Sequence, residues 1–188
     1  MPVLMRTQAL RRRSIDPQRV RLAAERMLDA LELLEAELSI LLCSDEVIHE
    51  LNRDYRGIDR PTDVLAFAME EPVAELDATE AEAVGAAFQA FEAPGARILG
   101  DIVISLERGR EQALRAGKTI AEEIVFLLAH GLLHLLGHDH RTKEEEREMN
   151  AMTTLLCAVA NSTDSVENRV TATPIRLHAA PKEHRKQS

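Results

Sequence analysis

Between Ala129 and His140 the chain reads AHGLLHLLGHDH, and four of its seven histidines fall there. A helix over TIAEEIVFLLAHGLLHLLG would bring His130 and His134 out of one face, because residues four apart lie a little more than a turn from each other. Gly137 can end that helix and turn the chain, since glycine enters the left-handed region without a Cβ penalty. The turn then carries His140 back towards the first two rings. Three neutral imidazoles from a helix and the loop after it make a Zn²⁺ site with an open position, the coordination of a catalytic centre rather than a structural one. Three imidazoles also suit nickel or copper.

His134 to His140 reproduces H-x-x-G-x-x-H, one half of the metzincin signature. The other half is missing, because Gly131 fills the slot where a zinc peptidase carries its general-base Glu. With no carboxylate on that turn to deprotonate water, peptide hydrolysis is disfavoured. Asp139 and His138 flank the third histidine, and either can orient an imidazole through its second N–H or simply stabilise the loop. His178 and His184 have no partner spacing and receive no role.

The elements that must hold these residues carry their own signals. Thr119 and Glu122 form a capping box, and Ile120, Ile124, Leu127 and Leu128 bury the histidine helix in the core. Upstream, Val3 to Gln8 reads as a short strand. Asp16 before Pro17 opens a helix whose apolar face is Val20, Ala23, Met27, Leu31 and Leu34. Glu37 to Cys43 is a buried strand, and Ser44 and Asp45 cap a helix over Glu46 to Asp54 that turns Val47, Ile48 and Leu51 inward. Gly57 and Pro61 mark a loop that gathers Arg53, Arg56 and Arg60, and Val64 to Phe67 is the next strand. Arg97 to Ser105 is another, with Gly100 and Asp101 at its start, followed by a helix over Leu106 to Ala116 that ends at Gly117. A second capping box, Thr142 with Glu145, opens a helix striped by Met149, Met152, Leu155, Leu156 and Val159. Helices alternating with three or four short strands predict an α/β or α+β domain with a mixed sheet covered by helices.

At 188 residues, with 45% apolar and 29% charged content, the chain fits one domain over residues 1–160. Residues 70–96 read as an acidic insertion without Lys or Arg, and 161–188 as a disordered tail. Cys43 and Cys157 sit in apolar segments without C-x-x-C spacing, which predicts free buried thiols. The N-terminus lacks an apolar h-region and the histidine helix is too interrupted to span a bilayer, so the expected location is cytoplasmic. A net charge of −9 excludes a protein that grips nucleic acid by bulk charge. A polyanionic substrate must meet a local patch, and Tyr55 is the one aromatic near the arginines on which a base could stack.

Three segments, LNRDYRGIDRPTDVLAF, ILGDIVIS and HGLLHLLGHDH, together resemble the motifs of the YbeY family over about Leu38 to Val159. That family comprises bacterial single-strand-specific, metal-dependent endoribonucleases of rRNA maturation. The resemblance implies an α+β fold, a mixed sheet of about four strands packed with helices around a central histidine-bearing helix. It makes His130, His134 and His140 the ligands of one zinc ion and matches Arg56 to the family's functional arginine. It implies single-stranded RNA as substrate, with small-subunit rRNA 3′ end processing and ribosome quality control as the setting. Ribosomal proteins would then be partners, with no membrane and no DNA. Asp101 also resembles a family position, although a turn or cap before the strand is the role its setting predicts. Ala66 and Ala68 depart from the family's usual Ser and Pro.

On this reading the cation acts as a Lewis acid on a phosphoryl oxygen and brings the pKa of water to roughly 7. Arg56 holds a non-bridging oxygen in its planar fork. The attacking group is either water or the RNA's own 2′-OH. Two other classes remain to be separated from this one: a non-catalytic ribosome-assembly factor with a structural metal, and the metzincin-like peptidase that Gly131 undermines.

Overall fold

The computed structural model describes residues 3–8, 15–69, 98–139 and 142–162. The acidic stretch at 70–96, His140 and the chain beyond Ser162 lie outside the described residues. Four strands, β1 (Val3–Thr7), β2 (Glu37–Cys43), β3 (Val64–Ala68) and β4 (Ile98–Ser105), form one sheet in the order β1-β2-β4-β3. β1 and β2 pair in parallel, as do β2 and β4, whereas β3 runs antiparallel to β4 at the edge. With five helices among the described residues around this mixed sheet, the fold is α+β, as expected.

The alternation of side chains along the strands divides the core in two. Leu38, Ile40, Leu42, Ile102 and Ile104 face one way and pack with α1 (Pro17–Ala30) and the later helices. Leu65 and Val103 face the other way, onto Cys43 and Ile48, with Phe67 packed alongside; Ile48 belongs to α2 (Asp45–Arg56). A sheet covered on both faces explains the near-continuous aliphatic runs of β2 and β4.

Local signals placed most helix ends. Asp16 accepts from the Gln18 N–H at 3.0 Å with Pro17 in the first turn. α1 nevertheless stops at Ala30, and Glu32 takes φ 59°. Leu31 is therefore a cap, and Leu34, beyond the helix, is 45% exposed instead of completing the apolar face. Ser44 caps α2 only through its backbone; the Asp45 N–H is met by Glu107. α3 (Leu106–Ala116) ends at Gly117, and α4 (Ile120–Leu135) and α5 (Lys143–Asn161) each begin with a complete capping box. Asn161, the first residue of the expected tail, thus closes α5, and Leu155 is half exposed on its outer side.

Gly100 and Asp101 are not the turn before β4 but part of it: Gly100 pairs with Leu38 and Ala68, Asp101 with Ser39 and Phe67. A register shift lies between Glu37 and Leu38, where the partners jump from Ile98 to Gly100. Gly100 has φ 135°, and a Cβ there would stand 2.0 Å from the Phe67 carbonyl oxygen. Glycine is required on both counts, conformation and space. Gly100→Ala is expected to destabilise the fold by about 3 kcal/mol or more, read from the midpoint of a urea titration.

Both cysteines are free thiols, Cys43 buried and Cys157 half-buried. Burial pushes the Cys43 thiol from 9.0 up to about 12 and the Cys157 thiol to about 11. The unfolded chain therefore loses these protons first, and stability should fall as pH rises from 9.0 towards about 12. At pH 8 a thiol reagent should label Cys43 only after denaturant is added.

Candidate functional site

α4 is a rigid mounting. Its buried residues include Glu123, Ile124, Leu127, Leu128, Leu132 and Leu133, and it packs on β3, β4, α1, α3 and α5. Gly131 faces the sheet so closely that a Cβ there would lie 3.0 Å from Ile102 Cγ2 and 3.2 Å from Val64 Cγ2. The slot in which a peptidase would carry its Glu is thus filled by strand side chains, and a carboxylate on that turn would be driven into the sheet.

His130 and His134, both half-buried, leave α4 together. Their ring centroids are 4.8 Å apart with the planes at 89°. His134 Nδ1–H donates to the carbonyl oxygen of His138 at 3.0 Å. A carbonyl can only accept, so this bond fixes the tautomer and leaves Nε2 as the lone-pair nitrogen, the arrangement of an imidazole that ligates a metal. The His138 carbonyl is brought there by the helix end itself. The Gly137 N–H bonds the His134 carbonyl, the His138 N–H bonds the Leu133 carbonyl, both at 3.0 Å, and Gly137 takes φ 85°.

A donor set of two imidazoles at this separation fits one borderline-soft divalent cation such as zinc. Among the described residues no group of three or more His, Cys, Asp or Glu is assembled for a metal. The third expected ligand, His140, lies outside the described residues. Burial holds His138 below the usual histidine range, opposed by Glu148. Asp139 is exposed in the same loop.

Sequence reasoning missed the other side of the site. Phe126, one turn before His130, lies parallel to its ring with centroids 6.2 Å apart and planes at 11°. Lys118 Nζ stands 5.0 Å over the Phe126 ring and pairs with the buried Glu123 at 3.5 Å. The i, i+4 spacing of Phe126, His130 and His134 was the available signal.

The arginine loop is pinned at both ends. α2 finishes at Arg56 with Gly57 in the left-handed region, φ 68°. Buried Asn52 donates through Nδ2 to the Arg60 carbonyl at 2.7 Å, and its backbone carbonyl accepts from the Ile58 N–H at 3.2 Å. At the far end Asp63 accepts from the Val64 N–H at 2.9 Å, Thr62 Oγ1 at 3.1 Å and Gln112 Nε2 at 2.8 Å. Burial alone would raise the Asp63 carboxyl, but the bonds from Gln112, Val64 and Thr62 outweigh it and hold the group below its ordinary value. Arg53 is paired with Asp54 at 2.9 Å. Arg56 and Arg60 are exposed, and no ion pair to either occurs among the described residues.

A family model for endoribonuclease YbeY matches residues 7–160. The chain belongs to the YbeY family. The endoribonuclease YbeY of Brevibacillus brevis is 50% identical over 119 residues, 63% of this chain and 71% of that protein. That of Bacillus velezensis is 50% identical over 115 residues, 61% of this chain and 66% of its own length. The Bacillus pumilus protein is 46% identical over 127 residues, 67% and 74% of the two chains. The solution structure of TM1509 from Thermotoga maritima superimposes with a TM-score of 0.53 at 21% identity, covering 84% of this chain and 88% of that one. This last likeness is one of fold.

Within the YbeY family setting, Gly131 is a packing requirement that also removes the peptidase base. Gly131→Glu should cost more than about 3 kcal/mol in a urea titration, since it buries a carboxylate against Ile102 and Val64. Casein turnover should stay at background.

Proposed function

We propose that the chain is a metal-dependent endoribonuclease that cuts single-stranded RNA. Its setting would be the cytoplasm, with small-subunit rRNA 3′ end processing and ribosome quality control as its tasks and the ribosome as its partner. Family membership supports the nuclease reading. The observation that carries the metal is the His134 Nδ1–H bond to the His138 carbonyl, which turns Nε2 into a ligand nitrogen beside the ring of His130.

His130, His134 and His140 would hold one Zn²⁺. When bound, the ion supplies Lewis-acid chemistry at the scissile phosphate and hydroxide at neutral pH. The chain's own residues bind and orient. The His138 carbonyl keeps the proton on His134 Nδ1, and Phe126 covers one side of the His130 imidazole. Arg56, exposed on the last turn of α2 with no ion pair among the described residues, would bind a non-bridging phosphate oxygen with two parallel N–H groups. The proton acceptor would be Asp139, His138 or, if the 2′-OH attacks, a group serving that hydroxyl.

His134→Ala should reduce cleavage of single-stranded RNA to background while leaving circular dichroism unchanged. Retained cleavage in that variant would rule the site out. Untagged protein should carry about one zinc per chain, in line with a three-imidazole site, and lose activity to a chelator. Arg56→Lys should lower kcat/KM roughly tenfold, because the planar fork is lost though the charge is kept. A 2′,3′-cyclic phosphate at the product end would identify 2′-OH attack; its absence would identify water.

A further inference from the structure

We propose that Tyr55 is a stacking platform for a base of single-stranded RNA, braced by Phe67 and flanked by Arg56 and Arg60. This rests on the endoribonuclease reading and names the residue that would hold a nucleotide near the one being cut.

Tyr55 is the chain's one tyrosine, and there is no tryptophan. It is 70% exposed on the last turn of α2. An aromatic ring left so far in water normally has no fixed orientation, but this one is held: its centroid lies 5.3 Å from that of Phe67 with the planes at 66°. Phe67 is itself packed against the cluster of Cys43, Ile48, Leu65 and Val103. One side of the tyrosine is thus fixed to the core and the rest faces solvent. That is how a stacking residue is pre-organised, with little entropy left to lose when a base arrives.

The ring's neighbours along the chain are cationic. Among the described residues Arg21 pairs with Glu25, Arg53 with Asp54, Arg108 with Asp45 and Arg115 with Glu111. Arg56 follows Tyr55 directly, and Arg60 is drawn back over the same helix end by the bond from Asn52 to its carbonyl. Neither has an ion pair among the described residues. Two exposed guanidinium groups in the same stretch of chain as an exposed ring, where Asp59 is bonded to His49, match a polymer that alternates phosphates with flat bases.

The position connects platform and histidines. Phe67 and Val64 both belong to the edge strand β3, and Val64, with Ile102, meets the helix at Gly131, next to His130. Three residues of strand correspond to about 10 Å. Their side chains leave opposite faces of β3, so RNA crossing the sheet edge would reach both.

The test uses the full chain. In the cleavage-deficient His134→Ala protein, a short single-stranded RNA should quench the tyrosine emission in a saturable way, and duplex RNA should not. In otherwise unaltered, metal-loaded protein, Tyr55→Ala should raise KM roughly 5- to 100-fold with kcat little changed, and Tyr55→Phe should stay near the parent. Normal RNA cleavage with an unchanged KM in Tyr55→Ala, or RNA binding seen by polarisation without quenching, would overturn the platform and leave the endoribonuclease intact. Parent protein that neither binds nor cuts RNA would overturn both.

Discussion

The contact on which the site depends is the close approach of α4 to the sheet at Gly131. With no side chain there, the helix settles until its backbone is within van der Waals reach of Ile102 and Val64. That contact sets the helix's rotation as well as its depth. At about 100° per residue, His130 and His134 then lie about 100° and 60° round from the sheet-facing line, on one flank. Phe126 falls on the same flank one turn earlier. Any residue that lifted α4 off the sheet would move all three rings together. One absence of a side chain therefore accounts for both the geometry of the histidines and the loss of a peptidase base.

The end of the helix is part of the chemistry for a related reason. The last carbonyls of a helix need partners, and here the N–H groups of Gly137 and His138 supply them. The reversal this produces turns the His138 carbonyl towards His134 and so decides which imidazole nitrogen bears the proton. A capping arrangement that is generic in helices here also orients the His134 imidazole. Phe126 beside His130, with Lys118 over its ring and paired to Glu123, gives the other histidine a setting built from packing instead of a backbone bond.

What the sequence made legible was whatever is settled by neighbours along the chain. β2 over Glu37–Cys43, α3 over Leu106–Ala116 and both capping boxes needed only local patterns. The features it hid depend on a distant partner. Gly100 reads as punctuation in isolation, yet its φ and its 2.0 Å approach to Phe67 exist only because β3 lies alongside β4. Leu34 fits a helical stripe by spacing, but the chain leaves the helix before reaching it. The His130–His134 pair was readable from i, i+4 spacing, whereas the buried Asn52 that pins the arginine loop carried no signal beyond an ordinary polar residue on a helix.

An acidic protein that handles RNA must solve a problem of range. The net charge of −9 repels a polyanion at a distance, but at physiological ionic strength that repulsion decays over about 8 Å. Contacts shorter than this are governed by the groups actually present. In the chain around Tyr55 these are Arg56 and Arg60, with Arg53 paired to Asp54 and Asp59 bonded to His49. So few cations release few counterions, and single-strand binding by this patch alone would have a shallow salt dependence, with a slope of roughly −1.4 for two phosphates. Such a surface cannot concentrate RNA from solution as a basic protein does; it can only hold a strand delivered to it. Repulsion at long range combined with cationic groups that act only at contact leaves recognition to the local geometry of the strand, so a single strand is held by where its phosphates and bases fall and not by its total charge.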